Sequence, residues 1–384
     1  MKIVIAPDSF KESLTAREVA QAIAQGVLDV LPQAQVVLVP MADGGEGTLD
    51  AVLAATDGQR QSLKVADALG RERQAHWGWL PEHTAVVEMA SAAGLEHIAA
   101  HERDPMRANT YGVGQLLSQA LDAGARRIVL TAGGSATNDG GVGMLCALGL
   151  RLLDRDGKAV PAQACSLGHL AKVDASELDK RLVDTEIIVA TDVRNPLCGP
   201  NGASAIFGPQ KGASSEMVRE LDQALMHWAD ITAQATGQDH RESPGAGAAG
   251  GLGFAAMAWL GAKTRPGVEV VAELTGLQAQ MAHAQLVITG EGRLDRQTLA
   301  GKTPWGVLRL AHAQSIPTIA LAGSLGEGYQ ALYEQGLCAA FSLTAGPVTL
   351  AQALAQAQAL LRARTVDIIR LWLQAQHAPQ TARH

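Results

Sequence analysis

Aromatic side chains are scarce in this chain: Phe, Trp and Tyr account for 3% of its 384 residues. Hydrophobic residues still make up 47% of the sequence, so its cores must be built from Ala, Val, Leu and Ile. A chain of this length exceeds one ordinary core, which predicts two domains. The 41 glycines predict many tight turns and places where the backbone comes close to a ligand.

Runs of Lys and Arg are also missing, and the formal net charge is −7. Nucleic-acid phosphates are bound by clustered positive charge, so this composition argues against a nucleic-acid-binding surface. A small anionic ligand held by a few local donors is still compatible with it.

Cysteine is rare, and its spacing excludes two classes of site. The four cysteines include no C-x-x-C pair, and the eleven histidines include no H-E-x-x-H spacing. We therefore expect neither a disulfide framework nor a zinc site, and we predict reduced thiols, as in the cytosol. The cysteines are Cys146, Cys165, Cys198 and Cys338.

Long hydrophobic runs are absent as well. The longest, Leu252 to Ala262, is too short to span a bilayer and contains glycine. At the N-terminus, Pro7 and Asp8 interrupt the apolar segment before it reaches signal-peptide length, so we interpret it as a buried strand. We expect a cytoplasmic protein with no membrane partner.

Strand and helix patterns alternate near the start of the chain. Ile3 to Ala6 and Val36 to Pro40 are predicted strands, each followed by a polar loop and then a helix. The first helix should begin at Thr15, because the Thr15 to Glu18 segment has capping-box spacing. Consecutive βα units predict a parallel sheet.

The same alternation returns near the end of the chain. A strand is predicted from Leu286 to Ile288, a loop over 289–303, a helix from Pro304 and a strand from Thr318 to Leu321. The tail from Thr349 to Gln376 has helical periodicity and is interpreted as a packing helix.

The middle of the chain differs from both ends, because short strands joined by turns begin at about Ser62. The predicted fold class is therefore α/β, with two dissimilar α/β domains. Residues 1–61 and 285–384 would form a Rossmann-like or flavodoxin-like domain with a parallel sheet. Residues 62–284 would form a second, mixed α/β domain inserted into it.

A glycine-rich loop lies at the centre of the sequence, between the apolar run Ile128 to Leu130 and a predicted helix from Val142 to Leu150. The loop, Gly133 to Gly141, reads GGSATNDGG. Glycine pairs at each end allow close backbone approach, and a helix N-terminus favours a bound anion. A tight turn with a polar N-cap is the alternative.

Four further loops follow predicted strands and carry charged side chains among glycine or polar residues. One such loop alone is equally compatible with a solvated turn, but five favour a site. Carboxylates in such loops suit Mg²⁺ held through water and phosphate, and Lys or Arg beside them suit phosphoryl oxygens. The four are Asp8 to Lys11, Ala42 to Thr48, Thr191 to Pro196 and Thr289 to Thr298.

Two nucleotide-binding motifs are matched only superficially. Gly245 to Gly250 fits G-x-G-x-x-G, but no strand is predicted before it. Gly301-Lys302-Thr303 ends like a P-loop, but the position of the first required glycine holds Arg296. Neither supports a Rossmann dinucleotide site or a P-loop.

Seven segments, in order over nearly the whole chain, resemble the bacterial glycerate kinase family, type I. Glu12, where many members have glycine, and Thr131-Ala132 depart from the common pattern without removing a motif residue. The segments are APDSFKESL (6–14), ADGGEGT (42–48), GGSATNDGG (133–141), DVRNPLCG (192–199), FGPQKGA (207–213), PGAGAAGGLG (244–253) and ITGEGRLDRQT (288–298).

The resemblance implies ATP-dependent phosphorylation of D-glycerate at the 2-hydroxyl, which gives 2-phosphoglycerate. ATP and Mg²⁺ would be the cofactors, and the pathway would be glycolate, glyoxylate or sugar diacid breakdown. It also implies two dissimilar α/β domains with the site in the cleft between them.

The roles of individual residues are hypotheses built on this resemblance and on side-chain chemistry. For Asp8 and Asp43, a helix N-cap or turn hydrogen bond is an alternative of nearly equal weight. The predicted phosphate-binding residues are Gly133, Gly134, Ser135, Thr137, Asn138 and Asp139. The predicted metal ligands are Glu291 and Asp295, and the predicted catalytic residues are Asp192 and Lys211. The predicted glycerate-binding residues are Asp8, Ser9, Lys11, Asp43 and Asn195.

Three other functions stay open. The nearest is a kinase for another small hydroxy acid, such as tartronate or an aldonate, because the motifs specify phosphoryl chemistry better than the acceptor. A non-catalytic sensor of small acids is the second. An NAD-linked dehydrogenase is the third and least supported.

Overall fold

A computed structural model describes residues 1–344 and 346–377. Within them the chain separates into two compact units. The first unit contains residues 1–43, 50–56 and the described residues from 268 on, and the second contains residues 44–49 and 57–267. The domain boundaries predicted after residues 61 and 284 stay a prediction, since a compact unit need not fold independently.

The strands are distributed over the whole described chain. In chain order they are β1 (Lys2–Ile5), β2 (Gln35–Leu38), β3 (Gln59–Ala66), β4 (Glu72–Leu80), β5 (Thr84–Glu88), β6 (Arg127–Thr131), β7 (Arg151–Leu153), β8 (Lys172–Asp174), β9 (Glu186–Ala190), β10 (Lys263–Arg265), β11 (Leu286–Leu294), β12 (Thr318–Leu325) and β13 (Leu337–Ser342).

The α-helices alternate with these strands, and several are only one or two turns long. In chain order they are α1 (Ala16–Val30), α2 (Thr48–Ala55), α3 (Met89–Ala93), α4 (Tyr111–Asp122), α5 (Val142–Ala147), α6 (Ala203–Phe207), α7 (Ser215–Thr236), α8 (Leu252–Leu260), α9 (Gly267–Leu274), α10 (Leu277–Gln280), α11 (Thr303–His312), α12 (Ala331–Glu334), α13 (Leu350–Ala355) and α14 (Ala357–His377). Among the described residues, none of these helices combines the length and hydrophobicity needed to cross a membrane.

The sheet of the first unit is entirely parallel, with strand order β13-β12-β11-β1-β2. Ile319 and Leu321 of β12 belong to a core shared with α1 and α14. Ala320 and Ala322, which alternate with them, belong to a second core with α11 and α12. Helices therefore cover both faces of this sheet, and the predicted α/β class is confirmed.

The first helix begins where its capping box predicts. Thr15 is the N-cap, its hydroxyl accepts a hydrogen bond from the Glu18 backbone N–H at 3.3 Å, and Glu18 accepts one from the Thr15 N–H at 2.8 Å. This reciprocal pairing satisfies two backbone donors that a helix start otherwise leaves free.

The sheet of the second unit is mixed, with strand order β10-β9-β6-β5-β4-β3. β10, β9, β6 and β5 are parallel, whereas β4 pairs antiparallel with both β5 and β3. The short middle strands predicted from the sequence are β3, β4 and β5. The four parallel strands end at one edge, which is where ligands bind in sheets of this kind.

Strand β11 is longer than predicted, so the expected loop over 289–303 is wrong in its first part. The strand runs on to Leu294, and its ladder with β12 extends from Val287 to Leu294. Glycine permits this close pairing, because a Cβ on Gly290 would lie 2.2 Å from the Leu321 carbonyl oxygen. Glu291, predicted in a loop, is consequently held in a strand.

Two predicted helices also differ from the structure. The helix after the glycine-rich loop ends at Ala147 and not at Leu150, because Gly149 has a φ of +105° that a helix cannot continue through. The tail is two helices separated at Gln356. Of these, α14 contributes Leu361 and Ile369 to the core, whereas α13 buries no residue.

Candidate functional site

The predicted site residues lie in two groups, one in each unit. We call Gly133 to Gly141 of the second unit the glycine loop. We call the second group, in the first unit, the acidic cluster; its members are Asp8, Glu291, Asp295, Thr298, Lys302 and Thr303. In both units these residues lie in the carboxyl-terminal half of a parallel strand or in the segment that follows it.

The glycine loop has an accessible half and an enclosed half. Gly134 is exposed and Ser135 retains 9% of its accessible surface. Thr137, Asn138 and Asp139 are fully buried. A ligand approaching from solvent therefore meets the start of the loop first.

Asp139 holds the enclosed half of the loop in place. One carboxylate oxygen, Oδ2, accepts hydrogen bonds from the Thr110 N–H (2.9 Å), the Thr110 hydroxyl (2.8 Å) and the Gly143 N–H (3.1 Å). The other, Oδ1, accepts one from the Gly141 N–H at 3.1 Å. Burial raises the pKa of Asp139, and these donors oppose the rise. Asp139 thus ties the loop to the starts of α4 and α5.

Lys211 reaches the loop from a 3-10 turn, Pro209–Lys211. Its ammonium donates to Ser135 Oγ at 2.8 Å and to the Thr137 carbonyl oxygen at 2.6 Å. The side chain is 1% exposed, and this burial lowers the pKa of Lys211 to about 7, against an opposing effect of the Asp139 charge. The Lys211 amino group therefore lies beneath the loop, bonded to a hydroxyl and a carbonyl oxygen and not to a carboxylate.

Two side-chain atoms in the loop have no hydrogen-bond partner within the described chain. They are Thr137 Oγ1 and Asn138 Oδ1. The amide nitrogen of Asn138 does donate, to Ser204 Oγ at 2.9 Å. Buried polar atoms are costly to leave unpaired, so two of them in one loop favour a binding role over a plain turn.

Of two other predicted loops, the first meets the glycine loop and the second follows β9, the strand next to β6 in the sheet. A Cβ on Gly133 would lie 2.6 Å from Gly45 Cα, so the first of these loops, which contains Gly45, and the glycine loop approach each other through glycine. In the loop after β9, Asp192 Oδ1 accepts a hydrogen bond from the Gly267 N–H at 3.2 Å. The Asn195 side chain donates to the Asn201 carbonyl at 2.8 Å and so stabilises a local turn.

Glu88 is a carboxylate of this edge that the sequence reasoning missed. It ends β5 and accepts a hydrogen bond from the Leu49 N–H at 2.9 Å. Burial raises the pKa of Glu88. The signal available in the sequence was a single acidic residue directly after the apolar run Ala85 to Val87.

In the acidic cluster, Asp8 is bonded on both carboxylate oxygens. Oδ1 accepts the Ser9 N–H at 2.6 Å, and Oδ2 accepts the Thr303 hydroxyl at 2.5 Å. Burial raises the pKa of Asp8 to about 7, and the negative charges of Asp43 and Glu291 add to this rise. Ser9, Asp43 and Glu291 therefore each lie close enough to act on Asp8, whereas Lys11, in the same loop as Asp8, is exposed.

Glu291 and Asp295 share a lysine that the predicted metal role did not include. Lys302 Nζ lies 3.4 Å from Glu291 Oε2 and 4.0 Å from Asp295 Oδ1. Thr298 donates to Glu291 Oε1 at 2.6 Å, and Asp295 Oδ1 accepts the Gln297 N–H at 2.9 Å as the N-cap of a 3-10 turn. Burial raises the pKa of Glu291, while Thr298 and Lys302 lower it.

These two carboxylates have the donor chemistry that Mg²⁺ requires. In residues 1–344 and 346–377, no group of three or more His, Cys, Asp or Glu side chains is placed to hold a metal ion. Mg²⁺ at phosphoryl-transfer sites often uses only one or two carboxylates and keeps several waters, so the pair fits this ion. A bound cation would compete with the Lys302 ammonium for the same oxygens.

Comparison with known proteins points to one family. A model of the glycerate kinase family matches residues 3–373. The chain is 49% identical to the glycerate 2-kinase of Escherichia coli K12 over 354 residues, 92% of this chain and 93% of that one. It is 47% identical to the glycerate kinase of Halalkalibacterium halodurans over 373 residues, 96% of this chain and 98% of that one.

The fold is similar to that of a solved structure that is likewise described as a glycerate kinase. A crystal structure assigned to glycerate kinase 2 of Salmonella typhimurium LT2 is similar with a TM-score of 0.88 and 44% sequence identity. The similarity covers 99% of this chain and 100% of that one. Sequence and structure comparisons therefore agree over nearly the whole length.

Proposed function

The chain belongs to the glycerate kinase family, and from this premise we propose that it transfers a phosphoryl group from ATP to the 2-hydroxyl of D-glycerate. The products would be 2-phospho-D-glycerate and ADP. The observation that carries the choice of hydroxyl is the 49% identity to a glycerate 2-kinase over 92% of this chain. The intact glycine loop, with its buried ammonium, supports the phosphoryl chemistry.

In this proposal the glycine loop binds nucleotide phosphates. Its backbone N–H groups and the Ser135 hydroxyl would donate to phosphoryl oxygens, and Lys211 would contribute positive charge from beneath. The unpaired Thr137 hydroxyl could donate to a phosphoryl oxygen, whereas the unpaired Asn138 Oδ1 can only accept, so Asn138 would contribute through its amide nitrogen. Asp139 would act by holding the loop's shape.

Asp192 is the proposed group that orients or deprotonates the acceptor hydroxyl. It follows β9 at the edge where the glycine loop lies, and its side chain is only partly buried. A carboxylate within hydrogen-bond reach of the attacking hydroxyl aligns it for in-line attack and accepts its proton. Asn195, in the same loop, would help to position the substrate.

The first unit supplies the other proposed roles. Asp8, Ser9, Lys11 and Asp43 would bind glycerate. Glu291 and Asp295 would hold Mg²⁺, which when bound neutralises charge on the phosphoryl oxygens. Lys302, beside both carboxylates, would share their oxygens with the ion.

The test is ³¹P NMR of the purified protein with ATP, Mg²⁺ and D-glycerate, beside a sample without glycerate and one with L-glycerate. We expect a new phosphomonoester signal at the position of authentic 2-phosphoglycerate in the D-glycerate sample alone. A signal of 3-phosphoglycerate would keep the kinase and overturn the choice of hydroxyl.

Parallel samples with tartronate and with aldonates test the choice of acceptor. If one of these acids is turned over faster than D-glycerate, that acid becomes the proposed substrate, and the proposed phosphoryl transfer still holds. If none of the acids gives a product, but D-glycerate binds, the protein is a small-acid sensor and the kinase proposal is wrong.

A further inference from the structure

The Ser135 hydroxyl is placed so that its proton must point away from Lys211. A hydroxyl has one proton to donate and two lone pairs that accept. Ser135 Oγ accepts a hydrogen bond from Lys211 Nζ at 2.8 Å, and an ammonium has no lone pair to accept one in return. Among the described residues, this is the hydrogen bond that the Ser135 hydroxyl makes.

Accessibility separates the two residues. Ser135 keeps 9% of its surface in the open half of the glycine loop, whereas Lys211 keeps 1%. The second acceptor of Lys211 is the carbonyl oxygen of Thr137, which is itself fully buried. A ligand that reaches the start of the loop therefore meets Ser135 first, while Lys211 stays enclosed behind it.

We propose that the Ser135 hydroxyl donates a hydrogen bond to an anionic oxygen of the bound ligand. Lys211 is then a positioning residue that sets the direction of this hydroxyl. The anionic oxygen belongs to a phosphoryl group or a carboxylate. The inference rests on the proposed function for its reaction, and it assigns separate tasks to two residues of the same loop.

Protonation of Lys211 decides whether the arrangement holds. The ammonium can only donate, but a neutral amine can accept the Ser135 proton and turn it away from a ligand. Burial lowers the pKa of Lys211 to about 7, so both forms are populated near neutrality. Below that pH the ammonium keeps the Ser135 hydroxyl pointing towards the ligand, and above it the neutral amine no longer does.

Among the described residues, one charged group acts on Lys211 and a second contacts its neighbours in sequence. The Asp139 carboxylate, on the glycine loop, raises the pKa of Lys211 through its charge. Arg103 packs against Gly212, next to Lys211 in sequence, and its guanidinium donates to the Gln210 carbonyl at 3.4 Å. The Asp139 charge favours the ammonium form of Lys211, and a bound anion would favour that form further.

The test is a double-mutant cycle on kcat/KM with Ser135→Ala, Lys211→Met and the combined variant. Each single change should lower kcat/KM on the order of 10- to 100-fold, the range for a hydrogen bond to a charged group. If Lys211 acts through Ser135, the double variant should be no slower than the slower single variant. Exposed counterparts, Lys158→Met and Ser215→Ala, are the matched controls and should leave kcat/KM unchanged.

The pH profile separates positioning from a general structural role. In the unmodified protein, kcat/KM should fall as the pH rises through about 7, because Lys211 loses its proton. Asp8 also has a pKa of about 7, so the profiles are compared in an Asp8→Asn background, where that inflection should be present with Ser135 and Lys211 intact and absent from both Ser135→Ala and Lys211→Met. Ser135→Thr, which keeps the hydroxyl, should restore most of the activity that Ser135→Ala loses.

Several results would overturn the proposal. One is multiplicative loss in the double variant, and another is an unchanged inflection near pH 7 in Ser135→Ala when Asp8 is already replaced by Asn. If Lys211→Met does not fold by near-ultraviolet circular dichroism, the Ser135→Ala and Ser135→Thr pH profiles decide the question alone.

Calorimetric titration with ADP and, separately, with D-glycerate identifies which anion Ser135 meets and does not depend on turnover. Ser135→Ala should weaken one of them on the order of 10-fold or more and leave the other unchanged. Unchanged affinity for both would refute the ligand contact even in an active enzyme. Weakened affinity in a protein that does not phosphorylate glycerate would uphold the contact and refute the proposed function.

Discussion

Gly250→Ala should displace the glycine loop from behind, without changing a polar group. Gly250 has a φ of +69°, and a Cβ built there would lie 2.1 Å from the Thr137 carbonyl oxygen and 2.6 Å from Asn138 Cα. Both atoms belong to the backbone of the loop, so no side-chain rotation can relieve the overlap. The loop must move by roughly 1 Å or more to restore an ordinary van der Waals distance.

The loss of stability in Gly250→Ala has two parts, which a second variant separates. Gly237 has a similar φ of +73°, but a Cβ there would meet nothing within 4 Å. Gly237→Ala should therefore show only the conformational cost of a left-handed alanine, about 1–2 kcal/mol. Gly250→Ala should show that cost plus overpacking of typically 1–3 kcal/mol.

The assay is urea unfolding followed by tryptophan fluorescence, together with kcat/KM. Trp228 is a local reporter of the loop, because its indole N–H donates to the Gly140 carbonyl at 3.0 Å. A displacement of this size should also lower kcat/KM by about 100-fold, whereas Gly237→Ala should leave it unchanged. Equal loss of stability at the two positions, with activity kept in both, would refute the steric reasoning.

Three further perturbations test other parts of the two groups. Asp139→Asn should destabilise the protein by about 2–4 kcal/mol, because an amide NH₂ then faces a buried backbone donor. The control is Asp154→Asn, in an open turn where Oδ1 accepts two N–H bonds, which should destabilise the protein by less than about 1 kcal/mol. Equal losses of stability in urea unfolding would contradict this reasoning. For Asp8, folding raises the pKa from 3.8 to about 7, so its contribution to the free energy of unfolding is complete below about pH 4 and is lost as the pH rises to 7. Between pH 5 and 8 the unmodified protein should therefore lose roughly 2–3 kcal/mol more stability than Asp8→Asn, and parallel pH curves for the two would show that Asp8 titrates normally. Asp192→Asn should lower kcat on the order of 100-fold with little change in melting temperature, whereas near-normal turnover would remove Asp192 from the mechanism.

Local patterns in the sequence predicted what depends on neighbouring residues. The capping box at Thr15, the strand before the glycine loop, and the parallel sheet built from repeated βα units all follow from spacings within about one helical turn or one strand. Each of the seven segments that resemble a kinase family is also contiguous, and the family comparison confirmed that resemblance. The roles given to single residues stay predictions.

Tertiary structure decided which polar groups meet. Strand β11 extends through Glu291 because Gly290 lets it pair closely with Leu321 of β12. Lys302 lies between two carboxylates that the sequence suggested for a metal alone. No local pattern contains these pairings, since each depends on packing between separate elements.

Lys211 shows most clearly the difference between what the sequence predicts and what the tertiary structure decides. Its type and position in FGPQKGA suggested a charge near the reacting phosphate, and that was all the sequence by itself determined about it. The structure places it against Ser135, 76 residues earlier in the chain, and buries it. The cost of removing an ammonium from water depends on everything folded around it, so its pKa and its task were decided only by the tertiary structure.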